Sequence, residues 1–366
     1  MFDQGVRLQL MIGSTVPLPV PYDLVDALEA VEVENNDQGF DGFKLSFNLT
    51  KSPLLDYDLL SSGLLEPPSR VIIGVTVGVL PQVLIDGVIT RHETMASNQP
   101  GASTLHVYGR DISQMLDLEE HSETYPNQSD SLIVLRLLGQ YARLGLVPDV
   151  ASTEDFPVEL ERTPSQQGTD LSYIRALAQR NSFVFYIEPT PIPGVTTAYW
   201  GRENRLGAPQ PPLAINQASQ SNVDEPMNFG FDALAATEPQ VSILEPTTGL
   251  RIQVPVPVSL QPSLATQVAQ PLRRTVPRGT ANLSLTQAML RSQAATSDSD
   301  EVATTSGEVD TVRYGHVLQA RRLVRVVGAG RTNSGTYYVK SVTHRLSRGQ
   351  YKQTFELTRE GRGALI

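Results

Sequence analysis

Three glycines near the C-terminal end have a spacing that could bind the phosphates of a nucleotide. The stretch VVGAGRTNSGTYYVKSVTHRL contains Gly328, Gly330 and Gly335. A dinucleotide site needs G-x-G-x-x-G followed by a helix whose N-terminus meets the pyrophosphate. Gly328 and Gly330 fit that pattern, but Asn333 stands where the third glycine should be. A P-loop needs a lysine directly after its last glycine, and this chain has Thr336 there.

The residues that follow these glycines favour a strand. TYYVKSVTHRL, after Gly335, is rich in β-branched and aromatic residues, which are typical of strands. Without a helix there is no helix dipole and no row of free N–H groups to hold an anion. Glycine and Asn-Ser-Gly tolerate the positive φ that a hairpin connection requires. We therefore predict a β-hairpin and no affinity for ATP or NAD.

No other pattern in the sequence predicts catalysis. The acids around His121 in DLEEHSE are attributed to a solvated loop in preference to a cation site, and G-x-S-x-G, the serine-hydrolase motif, does not occur. Nothing marks a pair of glycosidase carboxylates. Tyr337 and Tyr338 could form a platform for a sugar, although in an alternating strand we expect one of them to lie in the core. The histidines have neither the HExxH pattern nor a paired ligand spacing; they are His92, His106, His121, His316 and His344.

Composition indicates a soluble protein with more β than α structure. The chain has 366 residues, of which 40% are hydrophobic and 19% charged, with 27 glycines and 26 prolines. This length allows two or three domains. Cysteine is absent, which excludes disulfides and thiolate metal sites. We predict no catalytic residue, no cofactor-binding residue and no metal ligand, and hence that the protein is not an enzyme and needs no cofactor.

The charge distribution is uneven. A net charge of −10 argues against a nucleic-acid partner. Residues 312–366 hold eleven Lys and Arg against two acids, a charge of +9, so that the remainder carries −19. A basic end on an acidic body indicates either self-association or stacking on an acidic neighbour, or else an ordinary solvated strand surface.

One stretch, residues 71–89, is nearly long enough to span a bilayer. Pro81 and Gln82 interrupt it, and Asp86 deep in a bilayer would cost roughly 2.5–3.5 kcal/mol. Its apolar residues recur at every second position, from Val71 to Val79, as in a strand with one buried face. We therefore predict a hairpin and no membrane span, and the N-terminus lacks the pattern of a signal peptide.

The first 112 residues consist mainly of β-favouring runs separated by turn residues. Several short antiparallel strands with one apolar face each predict a barrel. We assign residues 1–112 to a first, tube-like antiparallel β-barrel. The runs are RLQLMI, ALEAVEVEN, FKLSFNLT, RVIIGVTVGV, VLIDGVITRHE and STLHVYGRD.

Helical spacing appears in residues 113–191, which we assign to an α/β connecting domain. A first helix has Ser129 or Asp130 as its N-cap, and a second has Thr169 or Asp170. Asn181 can end the second helix, and SFVFYIE then forms a strand. In the first helix Leu132, Leu135, Leu138 and Leu144 have near-helical spacing, and in the second Leu171, Ile174, Leu177 and Ala178 form one helical face.

Residues 192–366 are assigned to a second β-barrel with a long Pro/Ser/Thr-rich insertion around 252–311. We expect strands in TTAYWGRE and MNFGFDALAA, a long extended crossing or partly mobile loop over 252–281, and a short helix in LSLTQAMLRSQAA. TSDSDEVATTSGEVD is polar, and we expect its start to be flexible. Strand alternation returns from Val312 to the end.

The two ends of the chain resemble each other. LIDGVITRHE (84–93) can be aligned with YYVKSVTHRL (337–346), and a further strand follows each of them, TLHVYGRD and TFELTRE. The spacing of strands and turns is almost equal. This internal repeat predicts two related barrels with the helical segment between them.

Several stretches together resemble the phage late control protein D family. VLIDGVITRHE resembles its "lFdGvIt" strand, DLSYIRALAQRNSFVFYIEP its helix–strand element, and VVGAGRTNSGTYYVKSVTHRLSRGQYKQTFELTRE its closing β-meander. The family includes baseplate hubs of contractile-tail phages, hubs of extracellular contractile injection systems and the N-terminal half of VgrG proteins. The resemblance covers the chain nearly end to end, and is weakest over 205–310.

The resemblance implies a structural baseplate hub that forms a homotrimer. Two tube-like barrels per subunit would give a six-fold-like ring, which joins a hexameric inner tail tube to a trimeric spike. VgrG chains continue beyond the hub, whereas this chain stops at Ile366, so we expect a separate spike protein. Other baseplate proteins are further expected partners, with assembly in the cytoplasm into a virion, an injection system or a type VI-like machine. The alternative is a carbohydrate-binding or peptidoglycan-acting β-protein.

Overall fold

The computed structural model describes most of the chain, and strands dominate it. The described residues are 5–14, 16–50, 57–99, 101–153, 155–157, 159, 162–244, 250–255, 262–277, 285–297 and 301–364. We name four parts by their residues: the N-terminal sheet (6–111), the middle unit (112–201), the C-terminal sheet (210–231 and 303–359) and the insertion (232–302).

The N-terminal sheet contains every strand predicted for the first 112 residues. Its strands are β1 (Val6–Gly13), β2 (Leu18–Pro19), β3 (Leu28–Asn36), β4 (Gly42–Leu49), β5 (Arg70–Val77), β6 (Leu80–Met95) and β7 (Ser103–Asp111), with the short helices α1 (Tyr22–Ala27) and α2 (Asp58–Ser61) between them. The order across the sheet is β3-β4-β7-β6-β5-β1-β2. All these pairs are antiparallel, and the predicted antiparallel β fold is confirmed.

Alternation along most strands gives this sheet one buried face, whereas consecutive residues are buried in the middle of β5 and of β6. In β4 every second residue is buried, from Phe43 to Leu49, as the period of two predicts. The strands β3 and β4 contact β6 across the core, so the sheet is rolled. The predicted hairpin at residues 71–89 is the pair β5 and β6, although Val79 lies in its turn and is 89% exposed. Within the described ranges no helix is both long and apolar enough to cross a membrane.

The middle unit combines two helices with short strands. Its elements are β8 (Glu120–Thr124), α3 (Asp130–Gln140), β9 (Leu146–Val150), β10 (Ser165–Thr169), α4 (Asp170–Arg180), β11 (Val184–Pro189) and β12 (Thr196–Gly201), with 3-10 helices at Ile112–Asp117 and Ala142–Leu144. The strand β12 follows the predicted domain boundary at residue 191, yet it pairs with β11 and β9. Its Trp200 is fully buried in the core of the middle unit.

Both predicted helix starts are confirmed. The hydroxyl of Ser129 accepts a hydrogen bond from the N–H of Leu132 at 3.4 Å, and that of Thr169 accepts one from the N–H of Ser172 at 3.2 Å. These caps satisfy N–H groups that the first turn leaves free. Asn181 is the C-cap of α4, as predicted.

The predicted face of α4 is its buried face, whereas the leucines with helical spacing in α3 are only partly on its buried face, which includes Leu138. Leu171, Ile174, Leu177 and Ala178 are all buried in α4. In α3, Leu132 and Leu135 are about half exposed, at 49% and 48%, and the buried residues are Ile133, Val134, Leu137 and Leu138. LIVLRLL is apolar on more than one side, so spacing alone does not select the face. Packing on β9 and α4 selects it.

The remaining chain forms a second large group of strands and the insertion. Its elements are β13 (Gln210–Ala214), β14 (Val223–Phe231), β15 (Thr237–Pro239), β16 (Val241–Leu244), β17 (Arg251–Val254), β18 (Ala265–Val268), β19 (Arg273–Thr275), α5 (Leu285–Ser297), β20 (Ala303–Asp310), α6 (Thr311–Tyr314), β21 (Leu323–Val327), α7 (Gly330–Asn333), β22 (Gly335–Ser347), β23 (Gln350–Arg359) and β24 (Gly361–Ala364). A 3-10 helix at Ala218–Gln220 joins β13 to β14.

The insertion is more ordered than predicted. The helix α5 confirms the expected helix in LSLTQAMLRSQAA and packs on β15, β16 and β17. Together they form a separate small core of Val241, Ile243, Val254 and Ala288. The expected extended crossing contains short strands, and β18 pairs with β24. Residues 256–261 and 278–284 of this region, and 298–300 of the stretch expected to be flexible, lie outside the described residues.

The two sheets have the same connectivity, which confirms the internal repeat. The N-terminal order β1-β5-β6-β7-β4-β3 corresponds strand for strand to the C-terminal order β13-β21-β22-β23-β20-β14. The register agrees as well, because Gly42 lies opposite Arg110 in one sheet and Ala303 opposite Arg359 in the other. One pair differs, since β1 and β5 are antiparallel and β13 and β21 are parallel. The insertion lies in the C-terminal loop that corresponds to the short β3–β4 connection.

Candidate assembly site

The glycine-rich stretch is a hairpin connection, as predicted. The strands β21 and β22 are antiparallel, and the connection contains the four-residue helical turn α7. Gly328 has a φ of +83°, and a Cβ there would lie 1.7 Å from the carbonyl oxygen of Ile215. This glycine therefore permits both a left-handed backbone and close contact with the chain after β13. The long helix that a nucleotide site needs does not follow, because β22 begins at Gly335.

The other residues considered for chemistry lie apart or are buried. His121 lies on β8, opposite Gly168, and not in a loop. His344 is buried and shares a hydrogen bond of 2.9 Å with the hydroxyl of Tyr351. Within the described ranges no three His, Asp or Glu residues are placed to hold a metal ion. Tyr337 and Tyr338 are both about 1% exposed, so the second tyrosine is buried as well as the one expected in the core.

The long strand β22 joins the two sheets by changing partners on one edge. Its first residues pair with β21, up to Tyr338 opposite Leu323. After an irregularity at Lys340, its residues Ser341–Ser347 pair with β3 over seven positions. The opposite edge of β22 pairs with β23 throughout. A single hydrogen-bonded ladder therefore runs from the C-terminal sheet into the N-terminal sheet.

A buried arginine binds three parts of the chain where β22 changes partners. The guanidinium of Arg321, in the C-terminal sheet, donates to the backbone oxygen of Asn36 at 2.8 Å and to the carboxylate of Asp41, both in the N-terminal sheet region. It also donates to the backbone oxygen of Ile187 in the middle unit at 3.3 Å. Its plane lies 4.3 Å from the ring centroid of Tyr186. We call this group of residues the arginine clamp.

The charges of the clamp support each other. Burial lowers the pKa of the Arg321 guanidinium, but the charge and hydrogen bond of Asp41 outweigh burial and the pKa is raised. Asp41 also accepts bonds of 2.9 Å from the N–H of Asn36 and from the side chain of Asn35. Behind it, burial and the charge of Asp41 raise the pKa of Asp111 to about 6. These hydrogen bonds compensate both buried charges, Arg321 and Asp41, for the loss of water.

Sequence reasoning missed the clamp because its members are far apart in the chain. Arg321 and Asp41 are separated by 280 residues, and neither lies in a motif. The excess of basic residues after residue 312 was the available signal. Several of these bases pair with acids of the same chain: Arg321 with Asp41, Arg322 with Glu188, Lys340 with Glu301, Arg345 with Glu32 and Arg313 with Asp224.

Besides the outer edges of the end strands β2 and β13, two strand edges of the joined sheets have no partner in the described part of the chain. One is the outer edge of β14, whose inner edge pairs with β20. The other is the segment of β6 after Ile89, whose opposite edge pairs with β7. The N–H of Ile89 still donates to the oxygen of Ser69 at 2.9 Å, but no ladder continues beyond it. Unpaired edges are templates for pairing with another chain.

The internal repeat relates these two edges to the ladder that is already formed. β14 corresponds to β3, and β6 corresponds to β22. Since β3 pairs Glu34 with Thr343 and Val33 with His344 of β22, the corresponding pairing places Phe231 beside Thr94 and Gly230 beside Met95. The repeat occurs only twice in one chain, and one of its two equivalent joints, β3 with β22, is already formed. The second joint, β14 with β6, cannot form within the same chain by this geometry. A second copy of the chain can provide the partner strand.

Searches against known proteins find likeness in structure. The sequence matches no protein-family model and no curated protein. A tail protein from Neisseria meningitidis MC58 has a TM-score of 0.60 at 15% identity, covering 98% of each chain. The c3393 protein of E. coli has a TM-score of 0.56 at 12% identity, covering 91% of this chain and 73% of that one. It is described as a type VI secretion component similar in structure to the T4 tail proteins gp27 and gp5.

A third similar structure is a complex of PdpA and VgrG from Francisella. The match has a TM-score of 0.58 at 9% identity and covers 98% of this chain and 58% of that one. At such identities the likeness shows the fold alone. The chain thus has the fold found in phage tail proteins and in VgrG-like secretion components, which confirms the predicted resemblance to a baseplate hub fold.

Proposed function

We propose that this chain is a structural baseplate hub protein that joins a hexameric inner tube to a trimeric spike in a phage-tail-like particle. The observation that carries the proposal is the pair of free edges on two sheets of equal topology. The fold it shares with phage tail proteins supports the same role. Assembly in the cytoplasm, a separate spike and other baseplate partners belong to the proposal.

The repeat suggests how copies would associate. Within one chain, β3 joins β22 edge to edge. The next equivalent joint would place β14 of one copy beside β6 of its neighbour, which makes a head-to-tail contact. Such contacts close into a ring when the rotation per copy allows it. Three copies would bring six similar sheets into one ring and would pair the free edges of β14 and β6 in every copy.

A designed disulfide tests this arrangement directly. The equivalence places Phe231 opposite Thr94 of the neighbouring copy, and both side chains are exposed. Directly opposed residues of antiparallel strands are about 4.5–5.5 Å apart between Cα atoms, within the range that a disulfide bridges. Because the chain has no cysteine, the variant F231C/T94C carries only the two designed thiols. We expect a covalent trimer on a non-reducing gel after mild oxidation.

Matched controls separate this contact from random crosslinking. The single variants F231C and T94C should not give trimers. F231C/R7C keeps two exposed thiols but moves one to β1, and it should not give them either. Native mass spectrometry of the unmodified protein, alone and co-expressed with the spike, provides an independent reading. A strict monomer at micromolar concentration in both samples, or open-ended covalent polymers, would contradict the ring.

The alternative is a carbohydrate-binding or peptidoglycan-acting protein, and the two tyrosines considered as its sugar platform are buried. Tyr337 and Tyr338 point into the cores, where they cannot stack on a sugar ring. The hub proposal predicts no signal on a glycan array and no release of fragments in a cell-wall digestion assay. A specific glycan on the array would favour the alternative.

A further inference from the structure

A cavity of about 650 Å³ lies beside the arginine clamp, where three parts of the chain meet. It is bounded by the loop after β3, by α4 with the start of β11, and by Glu301 and Lys340 from the C-terminal side. Gln38, Ser172 and Ala176 at its rim are exposed, so solvent and small molecules can reach it. Neither the strand edges nor the ring proposed above uses this cavity.

One buried carboxylate oxygen in the cavity has no partner. Asp37 is 2% exposed, and its N–H donates to the oxygen of Lys340 at 2.9 Å. Its Oδ2 atom makes no hydrogen bond to any described residue. The hydroxyl of Tyr338, within the electrostatic reach of Asp37, also makes none. Buried polar atoms without partners are rare and costly, so they indicate that something is bound there.

The other charges that line the cavity already have partners. Lys340 forms an ion pair with Glu301, and Glu203 forms one of 2.9 Å with Arg205. Arg175 donates to the oxygen of Gly39 and stacks on Phe40 at 4.1 Å, although its Nε atom has no described acceptor.

Among the carboxylates that line the cavity, Asp37 is therefore the one without an ion pair in the described chain. The missing component at this position is a positive charge with hydrogen-bond donors.

We propose that the cavity binds a basic side chain, lysine or arginine, of a neighbouring protein, with Asp37 as its counter-ion. An ammonium or guanidinium group carries the donors that Asp37 Oδ2 lacks. Ala176, Ala178 and Phe183 in the wall offer apolar surface for its aliphatic stem. A metal ion suits the cavity less, because no three acids or histidines in the described ranges are placed for one. That the side chain comes from an assembly partner rests on the proposed hub function.

Electrostatics adds a pH dependence to this binding. Burial raises the pKa of Asp37 to about 7; Lys340 and Arg321 lower it, while Glu203 and Glu301 raise it. Arg175, across the cavity, also opposes a bound cation. A cation binds the ionised form of Asp37, so its affinity should rise between about pH 6 and pH 8 as Asp37 loses its proton. A site without such a group would bind with little change over this range.

The test uses small probes in place of the partner. We would measure the affinity of n-butylammonium and ethylguanidinium for the full chain by calorimetry and ligand-observed NMR, with n-butanol as the neutral probe. We expect weak cation binding at about pH 8, at least about tenfold weaker in D37N, and unchanged in E308Q. Glu308, on β20, pairs with Lys352 and does not line the cavity. Because the probes are monomeric cations, the result does not depend on whether the chain forms a ring.

A second variant keeps the test independent of changes at Asp37 itself. A176F places a large side chain at the exposed rim and leaves Asp37 intact, and it should abolish cation binding while circular dichroism shows an unchanged fold. Equal affinity for n-butanol would overturn the proposal, since the cavity would then be a mere apolar space. Unchanged binding in D37N, or no binding of either cation at about pH 8, would overturn it as well.

Discussion

At the scale of single residues, the arginine clamp gives a buried charge a structural role. Arg321 is 6% exposed and contacts the N-terminal sheet, the middle unit and its own sheet. Such a charge is stable in the interior only when its partner is present, since desolvation of a lone ion costs several kcal/mol. The clamp therefore makes the packing of three parts depend on one pair of side chains.

Removal of the acidic partner should be severely destabilising. D41A leaves Arg321 buried without its carboxylate, and we expect the free energy of unfolding to fall by about 3–5 kcal/mol. Denaturant titration followed by fluorescence measures this.

The exposed neighbouring pair serves as the control for D41A. Arg322 and Glu188 are about half and a third exposed, and E188Q should cost less than about 1 kcal/mol. If D41A costs no more than E188Q, the clamp does not hold the parts together.

Buried His344 should make the protein acid-sensitive. Burial lowers its pKa to about 3, whereas the unfolded chain has the ordinary value of about 6.5. Between these values the unfolded state binds a proton that the folded state does not, so stability falls as pH drops from about 6.5 towards 3. The loss from this residue is at most about 5 kcal/mol.

The variant H344Q isolates that contribution. It cannot take up the proton, so the difference in unfolding free energy between H344Q and the natural chain should shrink as pH falls through this window. Asp37 and Asp111 have raised pKa values, so they change stability in the opposite sense, but they are present in both proteins and cancel. A difference that does not vary with pH would show that His344 is not the responsible group.

At the scale of elements, strands with a clear period of two could be predicted from the sequence. Every strand run predicted for the first 112 residues exists, because β-favouring residues recur in each with turn residues between the runs. The strand β20 was missed because its sequence, ATTSGEVD, is mostly polar. It lies between β14 and β23, so its neighbours bury Thr305 and Val309 and its own composition gives no sign of this. The buried face of α3 could not be identified for the opposite reason, because apolar residues lie on more than one side of this helix.

The assembly site could be predicted only in part. The repeat was visible in the spacing of residues 84–93 and 337–346, and it led to the paired sheets. The clamp and the cavity of Asp37 depend on contacts between segments up to 285 residues apart. Single-sequence patterns contain local periodicity, and they do not record which distant segments meet.

The hairpin connection makes a prediction about two glycines with similar backbones. Gly328 and Gly330 have φ values of +83° and +79°, so alanine at either position should cost about 1–2 kcal/mol of backbone strain. G328A should cost clearly more, because its Cβ would meet the oxygen of Ile215, whereas nothing lies within 4 Å at Gly330. Thermal unfolding of both variants measures the difference. Equal losses would show that the contact with Ile215 does not constrain the hairpin.

At the scale of the whole molecule, several basic C-terminal residues form ion pairs within the same chain. Arg345, Arg322 and Arg321 pair with acids of the N-terminal sheet and middle unit. The uneven charge thus contributes to contacts between parts of one chain, in addition to any contact between chains. The exposed pairs among them are worth little individually, and the buried pair of the clamp matters most.

One part of the insertion should unfold separately from the rest. The small core around the fully buried Ala288 has no residue in common with the cores of the large sheets, whereas Leu264 of the insertion packs with Leu323 and Tyr338 of the C-terminal sheet. A288D buries a charge in the small core and should expose β16, β17 and α5 to proteases while the thermal transition of the sheets stays unchanged. L285D changes the exposed Leu285 of the same helix and should have neither effect. A lower transition temperature of the sheets in A288D would show that the small core folds together with them.

The ladder between β3 and β22 has a consequence for how quickly copies could come together. Because both halves belong to one polypeptide, three of the six seams in a closed trimer exist before any two molecules meet. Each subunit arrives with its partner half tethered, at an effective concentration that a separate half could reach only in a crowded solution. The remaining seams are the slow, concentration-dependent steps, and dilution would act on them alone.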